Sequence, residues 1–322
     1  MCTKNRESSL ARTLESLAAD PSVTPAEIIV VDNASTDGTP GVIAAARHGA
    51  PATRPVVALT CPDPGHSRAR NHAIPVARGE IVAFTDDDVT VHPGWIDELA
   101  RAFAPGVDIV GGRVVPEVDG PRPAWLEFRQ QFSITLWDYG PQPMEMGLLE
   151  SPGPGKPRRQ VYPIGANMAF RRSVLTEMGQ PFDPRLGHTG IVSMGYDEWD
   201  LFDRLADGHR MVYAPDAVVT HHLDGSRLEF GRARRMSFQV GFGAARSANA
   251  RAGALPSYPR RVYRVARGCW RVTEARRRNA RGDLTADGAF AEFDAYWKLG
   301  REIETLLSAT PKLSERAAAR LV

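Results

Sequence analysis

The sequence is poor in cysteine. Its three cysteines, Cys2, Cys61 and Cys269, are widely separated and show no CxxC spacing. An odd number of scattered cysteines argues against a disulfide framework and against a cysteine zinc site. The pattern is typical of a protein that works in a reducing compartment, and we expect a cytoplasmic location.

Long apolar runs are also missing. No stretch approaches the roughly 20 apolar residues that a membrane-spanning helix needs, and the first twelve residues are polar, unlike a signal peptide. The apolar content of 43% and the charged content of 24% are those of an ordinary globular protein, which excludes collagen and argues against disorder. At 322 residues, the chain is long enough for one large domain with an appendage, or for two modest domains.

Charge is unevenly distributed along the chain. Residues 1–225 contain 20 Lys and Arg against 29 Asp and Glu, whereas residues 226–322 contain 20 against 9. Segment 226–281 alone has 15 Arg, no Lys and two acidic residues. The two parts therefore face different partners. We predict an acidic catalytic domain over 1–225 and a basic extension over 226–322.

Strand-like and helix-like segments alternate along the first part. Leucines spaced three and four residues apart predict a helix over Arg6–Ala19, and the apolar run in Glu27–Asp32 predicts a buried strand. The same alternation continues to a strand at Glu80–Thr85. It predicts an α/β fold with a mostly parallel central sheet flanked by helices, which holds its ligand at the carboxyl ends of the strands.

Two other regions differ from this pattern. Segment 116–160 is rich in Pro and Gly, especially at Ser151–Pro157, and we expect a loop or lid there. Residues 226–322 are rich in Arg and Ala and have few strand signals, so they are predicted to form a helical extension.

Three consecutive carboxylates, Asp86, Asp87 and Asp88, follow the predicted strand that ends at Thr85. Because like charges repel one another, this cluster needs an explanation. Asp86 and Asp88 are two residues apart, so both can be directed at one hard cation while Asp87 points elsewhere. Taken alone, the cluster fits a solvated turn or a helix cap equally well.

Six short motifs occur in a characteristic order. They are Val31–Gly38 (VDNASTDG), Gly65–Asn71 (GHSRARN), Phe84–Asp88 (FTDDD), Gly165–Phe170 (GANMAF), Asp197–Leu201 (DEWDL) and His221–His222. In order and spacing they resemble the motifs of family 2 glycosyltransferases with the GT-A fold, over about residues 1–225. The resemblance implies an inverting transferase that uses a nucleoside-diphosphate sugar, by default a UDP-sugar, and a divalent metal ion.

The resemblance also implies where the donor binds. Asp32 is expected at the base or ribose and Arg70 near the diphosphate, since a carboxylate accepts hydrogen bonds from N–H and hydroxyl groups and a guanidinium suits phosphate. The further donor-binding residues that it implies are Thr3, Asn5, Asp86, Asp87, Gly165 and Asn167. An Asx turn at Asp32, a surface ion pair at Arg70 and a simple tight turn at Gly165–Asn167 remain open alternatives.

By the same resemblance, Asp86, Asp88 and His221 are expected to hold Mg²⁺ or Mn²⁺ against the donor diphosphate, where the ion stabilises negative charge on the leaving group. His221 follows the predicted last core strand, Ala217–Thr220. The adjacent His222 leaves open which histidine faces the metal. A histidine at the end of a strand is also commonly structural.

The segment Asp197–Leu201 departs from the usual family order, in which Glu precedes Asp. Counting backward from Leu201 aligns Glu198 with the catalytic base and Asp197 with its acidic neighbour. Acidic residues also favour a helix N-terminus, which is the alternative role for Asp197. Trp199 is expected either to stack on the acceptor sugar or to pack in the core.

The start of the sequence is a second departure. Family members generally open with an apolar strand before a Thr-x-Asn segment, whereas here Met1 and Cys2 lead directly into Thr3-Lys4-Asn5. The first strand is almost absent from the sequence. We expect that the natural start lies upstream or that the chain is shortened.

The basic segment 226–281 carries Arg clusters interleaved with aromatic residues. This composition predicts docking on an anionic membrane surface or binding of a lipid-linked phosphate. Charge pairing with the acidic domain is the alternative, and no recognition motif indicates nucleic acid. The acceptor is expected to be a glycan, a lipid-linked molecule or a small molecule. Two other functions remain open: a nucleotidyltransferase, and a catalytically impaired module that binds glycan or nucleotide.

Overall fold

The structure, a computed structural model, describes residues 1–126, 138–151, 159–188, 195–252, 254–282, 284–308, 310 and 314–315. The chain divides into two compact units. The first comprises Met1–Glu117, Asp138–Pro184 and Leu201–His222, and the second comprises Val118–Trp137, Arg185–Asp200 and Leu223–Val322. The second unit therefore contains the predicted extension together with two earlier segments.

The elements follow the sequence in this order. The first part contains β1 (Cys2–Thr3), α1 (Glu7–Ala19), β2 (Ile28–Asp32), α2 (Thr39–Gly49), β3 (Val56–Thr60), α3 (His66–Ala73), β4 (Ile81–Thr85), β5 (Val89–Val91), α4 (Trp95–Ala102) and β6 (Ile109–Val118). The second part contains β7 (Met144–Leu149), β8 (Arg159–Val161), β9 (Asn167–Arg171), α5 (Arg172–Glu177), α6 (Asp197–Leu205), β10 (Met211–Leu223), α7 (Phe230–Arg251), α8 (Tyr258–Ala280) and α9 (Ala286–Leu307).

The strands form two sheets. Strands β1, β2 and β3 pair in parallel. The larger sheet has the order β4-β9-β6-β10-β7-β8, with β5 paired to β10. The α/β fold and the C-terminal helices are as predicted. The larger sheet differs from the predicted mostly parallel sheet, because its pairs β4–β9, β6–β9, β7–β8, β5–β10 and β7–β10 are antiparallel. Parallel strands need a crossover helix, and the regular strand–helix alternation ends at β4.

Strand β1 is short, as its sequence indicates. Its two residues pair with Val31 and Asp32 of β2, and the α-amino group of Met1 donates to the carbonyl oxygen of Ile29 at 2.8 Å. The core of the first unit includes the predicted apolar face of α1, where Leu10, Leu14 and Leu17 are buried. The spacing of these three leucines in the sequence therefore predicted the packed face of this helix.

The segment predicted as a loop or lid contains regular structure. Strand β7 lies within 116–160 and β8 begins there, the two strands pair with each other, and β7 also pairs with β10. The Pro- and Gly-rich residues 152–158, like 127–137, lie outside the described residues. A positive φ of 117° at Gly147, within β7, shows one use of glycine here, since only glycine adopts this angle readily.

The second unit is built on the predicted helices. Helices α7 and α9 approach so closely that a Cβ atom added at Gly241 would lie 2.0 Å from the carbonyl oxygen of Trp297, and one at Gly300 would lie 2.1 Å from that of Phe238. Glycine at both positions allows the two backbones to touch. A separate apolar cluster joins Trp125, Phe230 and Phe293.

Several arginines of the extension form ion pairs inside the second unit. Arg234 lies 2.6 Å from Glu292, Arg246 lies 3.2 Å from Glu304 and Arg251 lies 2.6 Å from Asp200. All three carboxylates are buried. Part of the basic sequence therefore neutralises acidic groups within its own unit. Among the described residues, no helix combines the length and apolarity that a bilayer crossing requires.

Candidate functional site

The acidic residues follow the end of β4, as predicted. Strand β4 pairs with β9 so that Thr85 lies opposite Asn167, and the Thr85 hydroxyl donates to the carbonyl oxygen of Ala166 at 2.9 Å. This bond ties the end of β4 to the turn before β9. It fixes the backbone from which Asp86, Asp87 and Asp88 project.

Strand β10 brings a histidine to the same place. His221 pairs with Val89 of β5, and the His222 amide donates to the carbonyl oxygen of Asp88 at 2.9 Å. Side chains alternate between the two faces of a strand. His221 is on the buried side of β10 and His222 is on its partly exposed side.

Asp86, Asp88 and His221 form a compact group. Each offers a ligand atom, and these atoms lie within 4.8 Å of one another. His221 Nε2 is 3.1 Å from Asp88 Oδ1. Neither ring nitrogen of His221 makes an aligned hydrogen bond with the described part of the chain, although both are buried. Two carboxylates and an imidazole are suitable ligands for Mn²⁺ or Mg²⁺, so the residues present fit a divalent ion.

His222 has different neighbours. Its Nδ1 is 2.9 Å from Glu117 Oε2 and its Nε2 is 2.7 Å from the Thr90 hydroxyl. Burial lowers the pKa of His222, and Arg12 lowers it further, while Glu117 opposes the change. Of the two adjacent histidines, His221 is therefore the one whose side chain joins the acidic group.

Asp87 has a perturbed carboxyl group. Burial raises its pKa to about 6, and the negative charges of Asp88 and Asp86 act in the same direction, while the Thr3 hydroxyl and Arg6 lower it. Thr3 belongs to β1, so the predicted donor residues Thr3 and Asp87 lie together. A positive charge at the acidic group would favour the ionised form of Asp87.

Arg70 lies in the interior rather than in a surface ion pair. It is buried, its guanidinium carbon is 5.1 Å from the ring centre of Phe182 and 5.9 Å from that of Phe84, and its Nη2 is 3.8 Å from Asp86 Oδ1. Aromatic faces favour a nearby cation. The structure thus holds a permanent positive charge beside the acidic group, where the sequence predicted a diphosphate contact.

The loop after β2 is held by two predicted donor residues. Asp32 Oδ1 accepts from the Ser35 amide at 3.0 Å, a local contact that reaches one residue further than the Asx turn considered as its alternative. Its other carboxylate oxygen makes no hydrogen bond with the described part of the chain. Asn5 Oδ1 accepts from the Thr36 amide at 2.7 Å. The predicted nucleotide contacts of Asp32 and Asn5 remain predictions, and both residues shape this loop.

Gly165 and Asn167 belong to a tight turn. The Asn167 amide donates to the carbonyl oxygen of Ile164 at 2.8 Å. The Asn167 side chain is fully buried: its Oδ1 accepts from Trp95 Nε1 at 3.0 Å, and its Nδ2 donates to the carbonyl oxygens of Arg113 and Ala217 at 2.9 and 2.8 Å. Donor binding by Asn167 remains a prediction. Both N–H groups of its side chain already donate hydrogen bonds within the protein.

The candidate base lies at the start of α6. Asp197 to Asp200 belong to the second unit, in which Asp200 accepts a hydrogen bond from the Ser247 hydroxyl at 2.6 Å and pairs with Arg251. Asp197 is the first residue of α6 and is 2% exposed, whereas Glu198 is half-buried. Trp199 is half-buried and stacks on Tyr196, with ring centres 6.5 Å apart.

A comparison with protein families supports the arrangement of these site residues. The model of the family described as "Glycosyl transferase family 2" matches residues 1–179, more than half of the chain. The chain belongs to glycosyl transferase family 2. The matched residues include the loop after β2, Arg70, the carboxylates Asp86–Asp88 and the turn at Gly165, and they end before α6 and His221.

One curated relative and two solved structures show how far the similarity extends. The chain is 30% identical over 193 residues to the glucosyl-dolichyl phosphate glucuronosyltransferase of Haloferax volcanii, which is 58% of this chain and 57% of that enzyme. The mannosyltransferase PcManGT of Pyrobaculum calidifontis, solved with GDP-Man and Mn²⁺, has a TM-score of 0.54 at 18% identity and covers 100% of this chain and 79% of its own. TarS 1–349 of S. aureus, solved with UDP, has a TM-score of 0.52 at 16% identity and covers 94% of this chain and 89% of its own.

The similarity to solved structures establishes the GT-A fold of this chain. The match to the Haloferax enzyme spans little more than half of that enzyme's length. A match to the pre-mycofactocin glycosyltransferase of Mycobacterium tuberculosis spans 30% of its length.

Three supporting residues of the site were missed in the sequence. Thr85 anchors the turn at Ala166, Phe182 packs on the guanidinium of Arg70, and Gly112 leaves room for the Asn167 side chain, because a Cβ there would lie 2.2 Å from Asn167 Nδ2. Thr85 could have been found from its position, since it is the polar last residue of an apolar strand. Phe182 and Gly112 act through contacts distant in the sequence, which no local pattern indicates.

Proposed function

We propose that this protein transfers a sugar from a nucleoside-diphosphate sugar to an acceptor hydroxyl, with inversion at the anomeric carbon. The observation that carries the proposal is the group formed by Asp86, Asp88 and His221 at the ends of β4 and β10, in a chain of glycosyl transferase family 2. A UDP-sugar is the default donor. The relative solved with GDP-Man makes a GDP-sugar the next one to test.

Asp86, Asp88 and His221 would hold a divalent ion, Mn²⁺ or Mg²⁺. Such an ion supplies Lewis-acid stabilisation of the negative charge on the leaving nucleoside diphosphate. The His221 ring is suited to this role because its nitrogens are buried and make no aligned hydrogen bond with the described residues. Binding of an ion by His221 would therefore break no aligned hydrogen bond to the described residues.

Arg70 supplies a permanent positive charge next to Asp86. Its guanidinium lies against the rings of Phe84 and Phe182, which helps to fix the charge in place without removing it. We assign it to the diphosphate, because guanidinium and phosphate groups form strong charge-assisted hydrogen bonds. Asp32, whose second carboxylate oxygen makes no hydrogen bond with the described residues, is assigned to the ribose or base.

Glu198 is assigned the role of general base. A carboxylate that takes the proton from the acceptor hydroxyl raises the nucleophilicity of its oxygen during attack on the anomeric carbon. Glu198 is half-buried, whereas Asp197 is 2% exposed. The difference in exposure supports Glu198 as the residue that meets the acceptor and Asp197 as a residue of the helix start.

The partners follow from the same proposal. The acceptor is a glycan, a lipid-linked molecule or a small molecule with a free hydroxyl group. We also assign to segment 226–281 a contact with an anionic membrane surface, as its charge predicts. A cytoplasmic location, predicted from the cysteines, is consistent with both.

A donor screen tests the function. The full chain is incubated with UDP- and GDP-sugars in Mn²⁺ or Mg²⁺, and released nucleotide is identified by chromatography. Release of a nucleoside diphosphate from one donor, faster than in an Asp88→Asn control, supports the proposal. Release of pyrophosphate from a nucleoside triphosphate would instead identify a nucleotidyltransferase. Saturable donor binding without release, with acceptors present, would identify a binding module.

A further inference from the structure

The arginines of segment 226–281 fall into two groups. Those of α7 include Arg234, Arg246 and Arg251, which pair with buried carboxylates inside the second unit. Helix α8 has eight arginines and one acid, Glu274. Arg264 lies 3.8 Å from Glu302 and Arg278 lies 3.0 Å from Glu274, but most of the exposed arginines of the segment are on this helix.

Helix α8 has a packed inner face. Val272 contacts Ala295 and Leu299 of α9, and a Cβ added at Gly268 would lie 3.0 Å from Leu299 Cδ1. Arg261, also on this side, is buried and donates to the carbonyl oxygens of Thr305 and Leu306 at 3.3 Å. The apolar contacts that hold α8 in the second unit are thus on this inner face.

The opposite face carries a stripe of aromatic and basic side chains. Tyr263, Arg267, Trp270, Arg277 and Arg281 follow one another at spacings of four, three, seven and four residues, which places them in line on a helix of 3.6 residues per turn. Tyr263 is 63% exposed and Trp270 is 64% exposed. Large aromatic side chains this exposed take no part in the core, so packing does not explain them.

The positive charges of this outer face are not neutralised within the described part of the chain. Arg267, Arg277 and Arg281, and the flanking Arg260 and Arg276, are exposed and make no ion pair there. Glu274 lies within the stripe, four residues after Trp270 and three before Arg277, and Arg278 pairs with it at 3.0 Å. The outer face is therefore a surface of fixed positive charge with two aromatic side chains in its first half.

We propose that this outer face of α8, defined by Tyr263, Arg267, Trp270, Arg277 and Arg281, docks the protein on an anionic lipid surface with the helix lying along it. The inference rests on the membrane contact assigned above to segment 226–281, and it adds which helix face makes that contact. Arginines attract anionic headgroups, and Tyr and Trp prefer the boundary between headgroups and acyl chains. Helix α8 lies along the surface, because its inner face is packed against α9 and only its outer face is open to lipid.

The positions of the two aromatic residues favour a membrane over other anionic partners. Nucleic acid also binds Arg and aromatic side chains, but it requires a groove or a stacking platform, whereas Tyr263 and Trp270 are separated by two helical turns on a convex helix surface. A lipid surface is continuous, so both aromatic side chains can contact it at this separation. Val262, 42% exposed beside the stripe, adds apolar area of the same kind.

Vesicle sedimentation of the full chain tests the inference. Wild-type protein is expected to sediment with vesicles that contain phosphatidylglycerol and not with pure phosphatidylcholine, and salt is expected to release it. The double variant R267Q/R277Q should weaken binding by about fivefold for each charge removed. The matched control is R47Q/R235Q, which removes two exposed arginines of α2 and α7 that have no ion pair among the described residues.

A second readout concerns Trp270. Phosphatidylcholine brominated on its acyl chains, mixed into the anionic vesicles, quenches tryptophan emission when the indole reaches the acyl region. Quenching is expected in wild type, should be largely lost in W270F and should persist in the control W297F. W270F keeps an aromatic side chain, so its sedimentation should change little. This combination separates contact by Trp270 from a general loss of binding.

Each outcome bears on the proposal. Equal weakening by R47Q/R235Q and R267Q/R277Q would mean that net charge alone drives binding, and it would overturn the assignment to α8. Failure of the wild type to bind anionic vesicles would overturn both the face and the membrane contact; binding to an RNA oligomer in that case would identify a different partner. Nucleoside diphosphate release by R267Q/R277Q at the wild-type rate in vesicle-free solution shows that transfer and docking are separate properties.

Discussion

His221 Nε2 lies 3.1 Å from Asp88 Oδ1, yet the two side chains make no aligned hydrogen bond. Burial of the His221 ring nitrogens without an aligned hydrogen bond to the described residues is unfavourable unless something else satisfies them. Donor atoms that share one cation lie about this far apart, since ligand bonds near 2.1 Å at a right angle give roughly 3 Å. The distance is therefore the one expected if Asp88 and His221 hold one ion, as proposed above.

Loss of Asp88 should abolish metal-dependent donor binding. D88N keeps the size of the side chain but removes its charge, so that the remaining group, Asp86 and His221, has one carboxylate fewer for a hard cation. We expect donor affinity in Mn²⁺ to fall by about tenfold or more. Isothermal titration with the donor, with and without EDTA, measures this. Wild-type affinity unchanged by EDTA would show that no metal is required.

The two adjacent histidines should behave differently. H221Q removes a side chain of the acidic group, whereas H222Q removes one that contacts Glu117 and Thr90. We expect H221Q to raise the Mn²⁺ concentration needed for half-maximal donor binding by about tenfold, and H222Q to leave it within about twofold. Titration of donor binding with Mn²⁺ gives both values. A larger effect of H222Q would reverse the assignment.

Asn167 should matter for stability whatever its role in donor binding. N167A leaves Trp95 Nε1 and two carbonyl oxygens without their partner in a fully buried position. Each buried polar group left unpaired costs about 1–3 kcal/mol, so N167A should lower the unfolding free energy by about 3 kcal/mol. W95F, which removes only the indole N–H and some ring area, should cost less. The exposed Q160A, which loses one hydrogen bond to Asp203, is the control in urea unfolding.

Local patterns predicted much of this molecule because its elements are locally encoded. The leucines of α1 and the apolar run of β2 have the periods of a helix and a strand, and both elements were found within one residue of their predicted limits. Strands β7 and β8 were missed because Pro and Gly around them indicate loops. The pairing of β7 with β8 and of β7 with β10 joins residues that are distant in the sequence, and these contacts outweigh weak local propensity.

The candidate site also has some features that local sequence patterns predict and others that depend on contacts distant in the sequence. The carboxylates after β4 were visible in the sequence, but the choice between His221 and His222 depends on the register of β10, since a shift of one residue would exchange their faces. The buried amide of Asn167 was also beyond prediction, because Trp95, Arg113 and Ala217 are distant in the sequence. Motifs identify residues, whereas the register and long-range hydrogen bonds determine where their side chains point.

The contact between α7 and α9 should tolerate no side chain at Gly300. A Cβ there would lie 2.1 Å from the carbonyl oxygen of Phe238, and backbone atoms cannot move aside as a flexible side chain can. G300A should therefore lower the stability of the second unit by about 1–3 kcal/mol, despite the better helix propensity of Ala. G49A, at the end of α2 with open space around it, is the control and should be neutral or slightly stabilising. Thermal unfolding followed by circular dichroism compares them; equal melting temperatures for G300A and wild type would contradict the close approach.

Glu198 rather than Asp197 should be the catalytic base. Asp197 begins α6 and is 2% exposed, and Asp200, three residues further on, is used by Ser247 and Arg251. The helix therefore directs 197 and 200 inward and leaves Glu198 half-buried. E198Q keeps the shape of the side chain but removes the proton acceptor, so transfer should fall by about 10²–10⁴-fold, the usual contribution of general-base catalysis.

Donor affinity should distinguish a chemical defect from a structural one. In E198Q it should stay within about twofold of wild type, because the residues assigned to the metal and diphosphate are Asp86, Asp88, His221 and Arg70. D197N should reduce transfer less than E198Q, and any loss should be accompanied by a lower melting temperature, since a buried helix-start residue acts through the fold. Initial rates at saturating donor, set beside titrated donor affinity, give the comparison. Abolition of transfer by D197N, with near-normal transfer in E198Q, would move the base by one residue and show that the reversed Asp-Glu order has changed which carboxylate meets the acceptor.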